Sequence, residues 1–221
     1  MSRPARARGP TPDVESSRER IHAAALRLLA RYGYEGMSLQ MIADEVGLHK
    51  SSLFHHYRGG KLELATEVFL EAMERIAARV EPLAHDDPPR RETFFAVVDD
   101  VLDLLADDPD AARLLLTMLV APRDSDLNVP VGRDDTGHPV VRLFRIVTNW
   151  LERARAHGVV RRLPIRHTIP NLIGILLLQP SAAAGIADMA GETPEGARER
   201  DLRHASVHML LESLFAGDAA R

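Results

Sequence analysis

Five polar side chains crowd one short stretch of this chain: Lys50, Ser51, Ser52, His55 and His56. At helical spacing Leu53 and Tyr57 fall on the inward side of the same segment. An ammonium, two short hydroxyls and two imidazoles suit phosphate oxygens and base edges, and a major groove about 12 Å wide admits one such helix. Other reactive residue types do not assemble. His204 and His208 stand at i, i+4, a spacing able to hold a metal, but no Glu lies between them and no third ligand lies near. They read as polar positions in a subunit interface. Asp99-Asp100 and Asp107-Asp108 are sequence neighbours, which point apart on a helix, and read as a solvated face and a helix end. Ser181 and Ser206 lack a nucleophile-elbow context. No Gly-rich phosphate loop occurs. Cysteine is absent, which excludes disulfides, thiolate metal sites and a cysteine nucleophile. The chain reads as a non-enzyme with no cofactor and no metal.

A polar helix reads nothing unless other elements hold it outward. Ser38 is placed to N-cap a short helix with apolar positions Leu39, Ile42, Ala43 and Val46. Gly47 stops it and can take the left-handed backbone of a tight turn. The next helix runs from about His49 to Tyr57. Short helix, glycine turn and short helix is the helix-turn-helix arrangement, with Ile42, Val46 and Leu53 in the inner angle. Upstream, Ile21, Ala24, Ala25, Leu28, Leu29 and Tyr32 mark one helical face, closed by Gly33 as a C′ glycine. Arg58-Gly59-Gly60 breaks the pattern.

The string itself is more specific than the geometry. Arg18-Glu19-Arg20-Ile21, Ala23-Ala24-Ala25-Leu26, Tyr32-Gly33-Tyr34-Glu35-Gly36, Ser38, Ile42-Ala43, Val46-Gly47-Leu48 and Ser52-Leu53-Phe54-His55-His56-Tyr57 together closely resemble the signature of the TetR family of bacterial regulators, over about residues 17–64. The resemblance implies an all-α fold: an N-terminal three-helix DNA-binding domain with the helix-turn-helix, then a larger helical ligand-binding and dimerisation domain. It implies DNA contacts at Ser38, Gln40, His49, Lys50, Ser51, Ser52, Phe54, His55, His56 and Lys61. Phe54 stands where the family usually has a tyrosine touching the DNA backbone, so that hydroxyl is missing. His56 matches a phosphate-contacting histidine. The usual lysine position is Gly60 here, and the cation is displaced to Lys61. The implied function is a ligand-responsive transcriptional regulator, a repressor, binding palindromic double-stranded operator DNA as a homodimer through its last two helices. A small hydrophobic effector would release it. The alternatives are a helical effector-binding or interaction module with a weakened DNA head, or a non-catalytic metal-binding bundle.

The rest of the sequence fits that division. Net charge is −4 over 221 residues, yet residues 1–61 hold ten Lys and Arg against six Asp and Glu, so a basic head sits on an acidic body. Residues 1–16, with Arg3, Arg6 and Arg8 among prolines, read as a disordered basic arm; 17–61 as the DNA-binding domain; 62–221 as the effector-binding and dimerisation domain. Helices are expected from Leu62 to about Pro82 and over 94–105, 111–120, 140–156, 168–184 and 194–215. Pro180 is expected to kink its helix and open space beside it. Phe69, Met73, Phe94, Met118, Phe144 and Trp150 are the candidate effector-pocket residues. No signal peptide and no apolar run near the roughly 20 residues of a membrane span are visible, so the chain reads as soluble and cytoplasmic, with no membrane partner.

Overall fold

The computed structural model describes residues 12–121, 135, 137–191 and 196–215. The described residues are helical, with no strand beyond a single bridge between Val160 and Phe215. Two compact units divide at Val68 and Phe69, seven residues beyond the boundary expected from the sequence.

The first unit holds α1 (Pro12–Gly36), α2 (Leu39–Val46), α3 (Lys50–His56) and the start of α4 (Gly60–Val80). Residues 12–16, assigned to the disordered arm by their composition, are the first residues of α1; the remainder of that arm lies outside the described residues. Gly33 leaves helical geometry (φ 68°, ψ 177°), but one further turn follows to Gly36. Ile21, Ala24, Ala25, Leu28 and Leu29 are buried as their spacing requires. Tyr32, expected on the same face, is 46% exposed, since the break at Gly33 ends the face beside it.

The second unit contains α4 from Phe69, a 3-10 turn (Glu81–Ala84), α5 (Arg91–Asp107), α6 (Pro109–Leu119), α7 (Pro139–Ala156), α8 (Ile165–Ala190), α9 (Gly196–Leu211) and a closing 3-10 turn (Glu212–Leu214). Pro109 and Pro139 open their helices where a missing N–H costs nothing, and Asp108 Oδ1 accepts from Ala111 N at 3.1 Å to cap α6. Helix α5 buries Phe94, Phe95, Val98, Val101, Leu102 and Leu105, an apolar stripe facing α6 and α8. Helix α8 runs longer than expected and continues through both Pro170 and Pro180.

The histidines of α9 are each partnered by a carboxylate of α5. His204 Nε2 lies 2.9 Å from Asp103 Oδ1 and His208 Nε2 lies 2.7 Å from Asp99 Oδ1, with Arg200 also paired to Asp103. Asp99, read from the sequence as part of a solvated face, is therefore a docking point for α9. Burial raises the Asp103 pKa, but the hydrogen bonds and charges of Arg200 and His204 outweigh it and the net shift is downward.

One carboxylate joins three elements of this unit. The Asp86 side chain is fully buried. Its Oδ2 accepts from Arg90 N at 2.8 Å and from Trp150 Nε1 at 2.9 Å; its Oδ1 accepts from Arg90 Nε and Thr93 Oγ1, each at 2.9 Å. Arg153 then donates to the carbonyls of Asp86 and Leu83, both at 2.8 Å. The segment around Asp86 is thus the tie between the 3-10 turn, the start of α5 and the middle of α7. Burial pushes the Asp86 pKa up, but these donors prevail and hold it at about 2. A folded pKa below the unfolded value of 3.8 stabilises the native state above about pH 4, and that contribution is lost as pH falls towards 2. Trp150 is the sole tryptophan, so its fluorescence reports this unit directly. Asp86→Ala is expected to lower stability by about 3 kcal/mol in urea unfolding. Asp86→Asn should flatten the acid limb of the stability profile between pH 4 and 2, and an unchanged acid limb would contradict this role.

Candidate nucleic-acid interface and ligand cavity

The turn between α2 and α3 is built as the sequence requires. Ser38 has extended backbone and its Oγ accepts from Met41 N at 3.2 Å. Gly47 adopts φ 71°, ψ 33°, a conformation costly for any side chain, and Leu48 N returns to Ala43 O at 2.9 Å. Two cations of α1 lock α2 in place: Arg20 donates to Val46 O at 2.6 Å, and Arg27 reaches Glu45 Oε1 at 2.6 Å. These clamps had no signal in the helical periodicity, which treats both arginines as solvated.

Leu53 and Tyr57 are buried, at 0% and 2% exposure, and this fixes the rotation of α3. Lys50, Ser51, Phe54, His55 and His56 are exposed, Ser52 is half-buried, and His49 is exposed at the N-cap. Ser38 and Gln40 are exposed at the start of α2. Gln40 Nε2 donates to Asp44 Oδ1 at 2.7 Å, a bond that uses one of its two N–H donors and leaves the Oε1 acceptor uninvolved. Phe54 is 46% exposed beneath the Lys50 ammonium, 6.0 Å from its ring centre. Arg58, exposed directly after α3, adds a cation to this surface; the sequence reading treated it only as part of a break.

Lys61 stands apart. Its Nζ donates to Tyr34 O at 2.8 Å and lies 4.2 Å from the centre of the Tyr34 ring. The ammonium thus joins the last turn of α1 to the first turn of α4. Gly60 takes φ 71° just before it, and Glu63 Oε2 accepts from Gly59 N at 2.7 Å. Lys61→Ala is expected to lower head stability by about 1 kcal/mol while leaving the salt dependence of DNA binding unchanged. A salt slope reduced by about 0.9 would instead identify a phosphate contact.

The second unit encloses a cavity of about 390 Å³ bounded by α4, the first 3-10 turn, α5, α6, α7 and α8, a size within the roughly 300–1,000 Å³ of small-molecule sites. Phe69, Met73, Phe94, Met118 and Phe144 all line it. Trp150 does not. Its indole is consumed by Asp86, and its ring stacks 5.1 Å from Phe94, behind the wall. The sequence reading missed the aliphatic share of the lining, including Val98, Val101, Leu172 and Leu176. Their spacing announces buried stripes but not which part of a stripe meets a void. A second hollow, of about 430 Å³ between the 3-10 turn and α7, has charged side chains at its wall, among them Arg145 and Glu152.

Comparison with known proteins bears on the head most directly. Residues 21–68 match the family described as bacterial regulatory proteins, tetR family. Over 64 residues the chain is 44% identical to the HTH-type transcriptional regulator LmrA of Bacillus subtilis, covering 29% of this chain and 34% of LmrA. It is 33% identical to the HTH-type transcriptional repressor SCO4008 of Streptomyces coelicolor over 103 residues, 47% of this chain and 50% of that one. The matched part thus spans about a third to a half of these relatives. The HTH-type transcriptional regulator SrpR of Pseudomonas putida matches 95% of this chain and 89% of its own length at 24% identity. The fold is shared with the TetR family transcriptional regulator PfmR of Thermus thermophilus, at a TM-score of 0.65 and 21% identity over 90% of this chain and 98% of that one. A TetR family regulator of Marinobacter aquaeolei gives a TM-score of 0.65 at 14% identity, over 93% and 98%. Residues 21–68 thus carry the helix-turn-helix head described for bacterial regulatory proteins of the tetR family.

Proposed function

We propose that this protein is a ligand-responsive transcriptional repressor that binds palindromic operator DNA as a homodimer and is released by a small hydrophobic effector. The observation that carries the reading is the outward face of α3. Buried Leu53 and Tyr57 hold Lys50, Ser51, His55 and His56 in solvent immediately after a left-handed glycine turn. Phosphate contacts from Lys50, His56 and Arg58 would position the head, while Ser51 and Gln40 would meet base edges. Phe54 offers only apolar contact. The test is binding to the DNA upstream of the protein's own gene across a salt series. Specific affinity that falls steeply with salt supports the reading. Lys50→Ala and His56→Ala are each expected to weaken binding by about tenfold, equivalent to about 1.4 kcal/mol. Weak, sequence-blind binding at all salt concentrations would favour the interaction module with a weakened head.

The homodimer reading rests on α8 and α9. Leu178, Ile186 and Met189 on α8, and Leu202, Met209 and Leu210 on α9, are each more than half exposed. On α8 they stand eight and three residues apart, and on α9 Met209 and Leu210 follow Leu202 by about two turns; these are exposed apolar side chains that a second copy of the same helix pair would cover. Two heads could then meet successive major grooves of a palindrome. Met209→Asp is expected to convert the dimer to monomer in sedimentation analysis and to weaken operator binding. A variant that remains dimeric would move the interface elsewhere. The effector reading rests on the 390 Å³ cavity. Such a ligand can act only by preferring one conformation of the chain over another, and α4, which supplies Phe69, Met73 and Ile76 to the cavity wall, would carry the difference.

A further inference from the structure

We infer that the ligand of the α4–α8 cavity is uncharged, with no ionic group in its bound form. This inference rests on the ligand-responsive reading above and narrows it to one chemical class. All the described residues lining the cavity are apolar; none carries a formal charge, a hydroxyl or an amide on its side chain. Buried side-chain atoms without a hydrogen-bond partner on α7, its N-cap and α8, namely His138 Nε2, Arg142 Nε, Thr148 Oγ1 and Gln179 Oε1, belong to residues outside that lining. A carboxylate or ammonium placed there would lose its water and gain no counter-ion, at a cost of several kcal/mol.

Several charged residues that flank the lining are already paired elsewhere. Glu74, next to Met73, receives Arg142 from α7 at 2.5 Å. Arg75 is paired with Asp108 at 2.6 Å. On α5, Asp99 and Asp103 are occupied by His208, His204 and Arg200 of α9. Recruiting any of these groups as a counter-ion would break a pair already made. The rim continues the pattern, since Leu119 and Phe144, more than half exposed, also line the cavity. Among the described residues, these two present hydrocarbon to any group emerging beside them. What the lining does provide is three phenylalanine rings, Phe69, Phe94 and Phe144, with the pliable thioethers of Met73 and Met118. That combination takes ring-bearing or branched neutral molecules and adjusts to their outline.

The test uses the full chain and three probes of one shape, 2-(2-naphthyl)ethanol, 2-naphthylacetate and 2-(2-naphthyl)ethylammonium, compared by calorimetric titration at pH 7.5. The alcohol is expected to bind at least tenfold more tightly than either ion. A smaller preference, or an ion that binds best, overturns the inference while leaving the cavity as a ligand site. If none of the three binds, and the neutral fluorophore N-phenyl-1-naphthylamine does not bind either, the ligand-responsive reading falls and the inference with it. Val101→Phe and Leu176→Phe fill the cavity from opposite helices. Loss of alcohol binding in either one, with operator affinity retained, locates the site. Alcohol binding unchanged in both places the ligand elsewhere and overturns the inference.

Discussion

A single buried carboxylate organises the second unit. Asp86 gathers an indole, a guanidinium, a hydroxyl and a backbone N–H within 2.9 Å. Each donor comes from a residue that also has a packing duty. Trp150 is held flat against Phe94, Thr93 and Arg90 are fixed at the entrance to α5, and Arg153 covers the carbonyls that the turn leaves open. A carboxylate stripped of water is tolerable only when its lone pairs are filled, so the charge dictates where α5 and α7 can begin and cross. The cavity wall inherits its shape from that constraint. Phe94 can face the void because Trp150 backs it from behind.

The head follows the opposite logic, with polar groups at its surface and a small aliphatic interior. Several of its charges are nevertheless committed internally. Arg20 caps α2, Arg27 pairs with Glu45, and Lys61 is held between a carbonyl and a ring. Among the described residues, Lys50 on α3 and Arg58 in the turn after it face outward, as does Arg31 on α1. A domain with a modest excess of positive charge can still present a concentrated patch when its remaining cations are used as internal clamps.

The parts of this architecture that were legible in the sequence are those set by local chemistry. Ser38 and Gly47 determine a cap and a turn through their own backbone preferences, and both stand where that chemistry puts them. Leu53 and Tyr57 follow from a period of about 3.6 residues. Five of the six candidate cavity residues share one void because large apolar residues on neighbouring amphipathic helices converge there. What stayed hidden depends on partners distant in sequence. Asp86 and Trp150 are 64 residues apart, and His208 and Asp99 are 109 apart, so no spacing rule links them. Trp150 looked like a pocket residue because its size was visible and its hydrogen bond was not. The contact of Lys61 with Tyr34 was equally hidden, since nothing in the string pairs the two.

Helix α4 has one further property. From Lys61 to Val80 it contains neither proline nor glycine. Leu64, Ala65 and Val68 on its first turns are buried, and Phe69, Met73 and Ile76 on the next line the cavity. Within the second unit the part of this helix from Phe69 to Val80 has no softened joint, so Phe69, Met73 and Ile76 keep a fixed angular spacing and a displacement of one is shared by the others. That side of the cavity therefore yields as a single wall, with its give at the 3-10 turn anchored by Arg153.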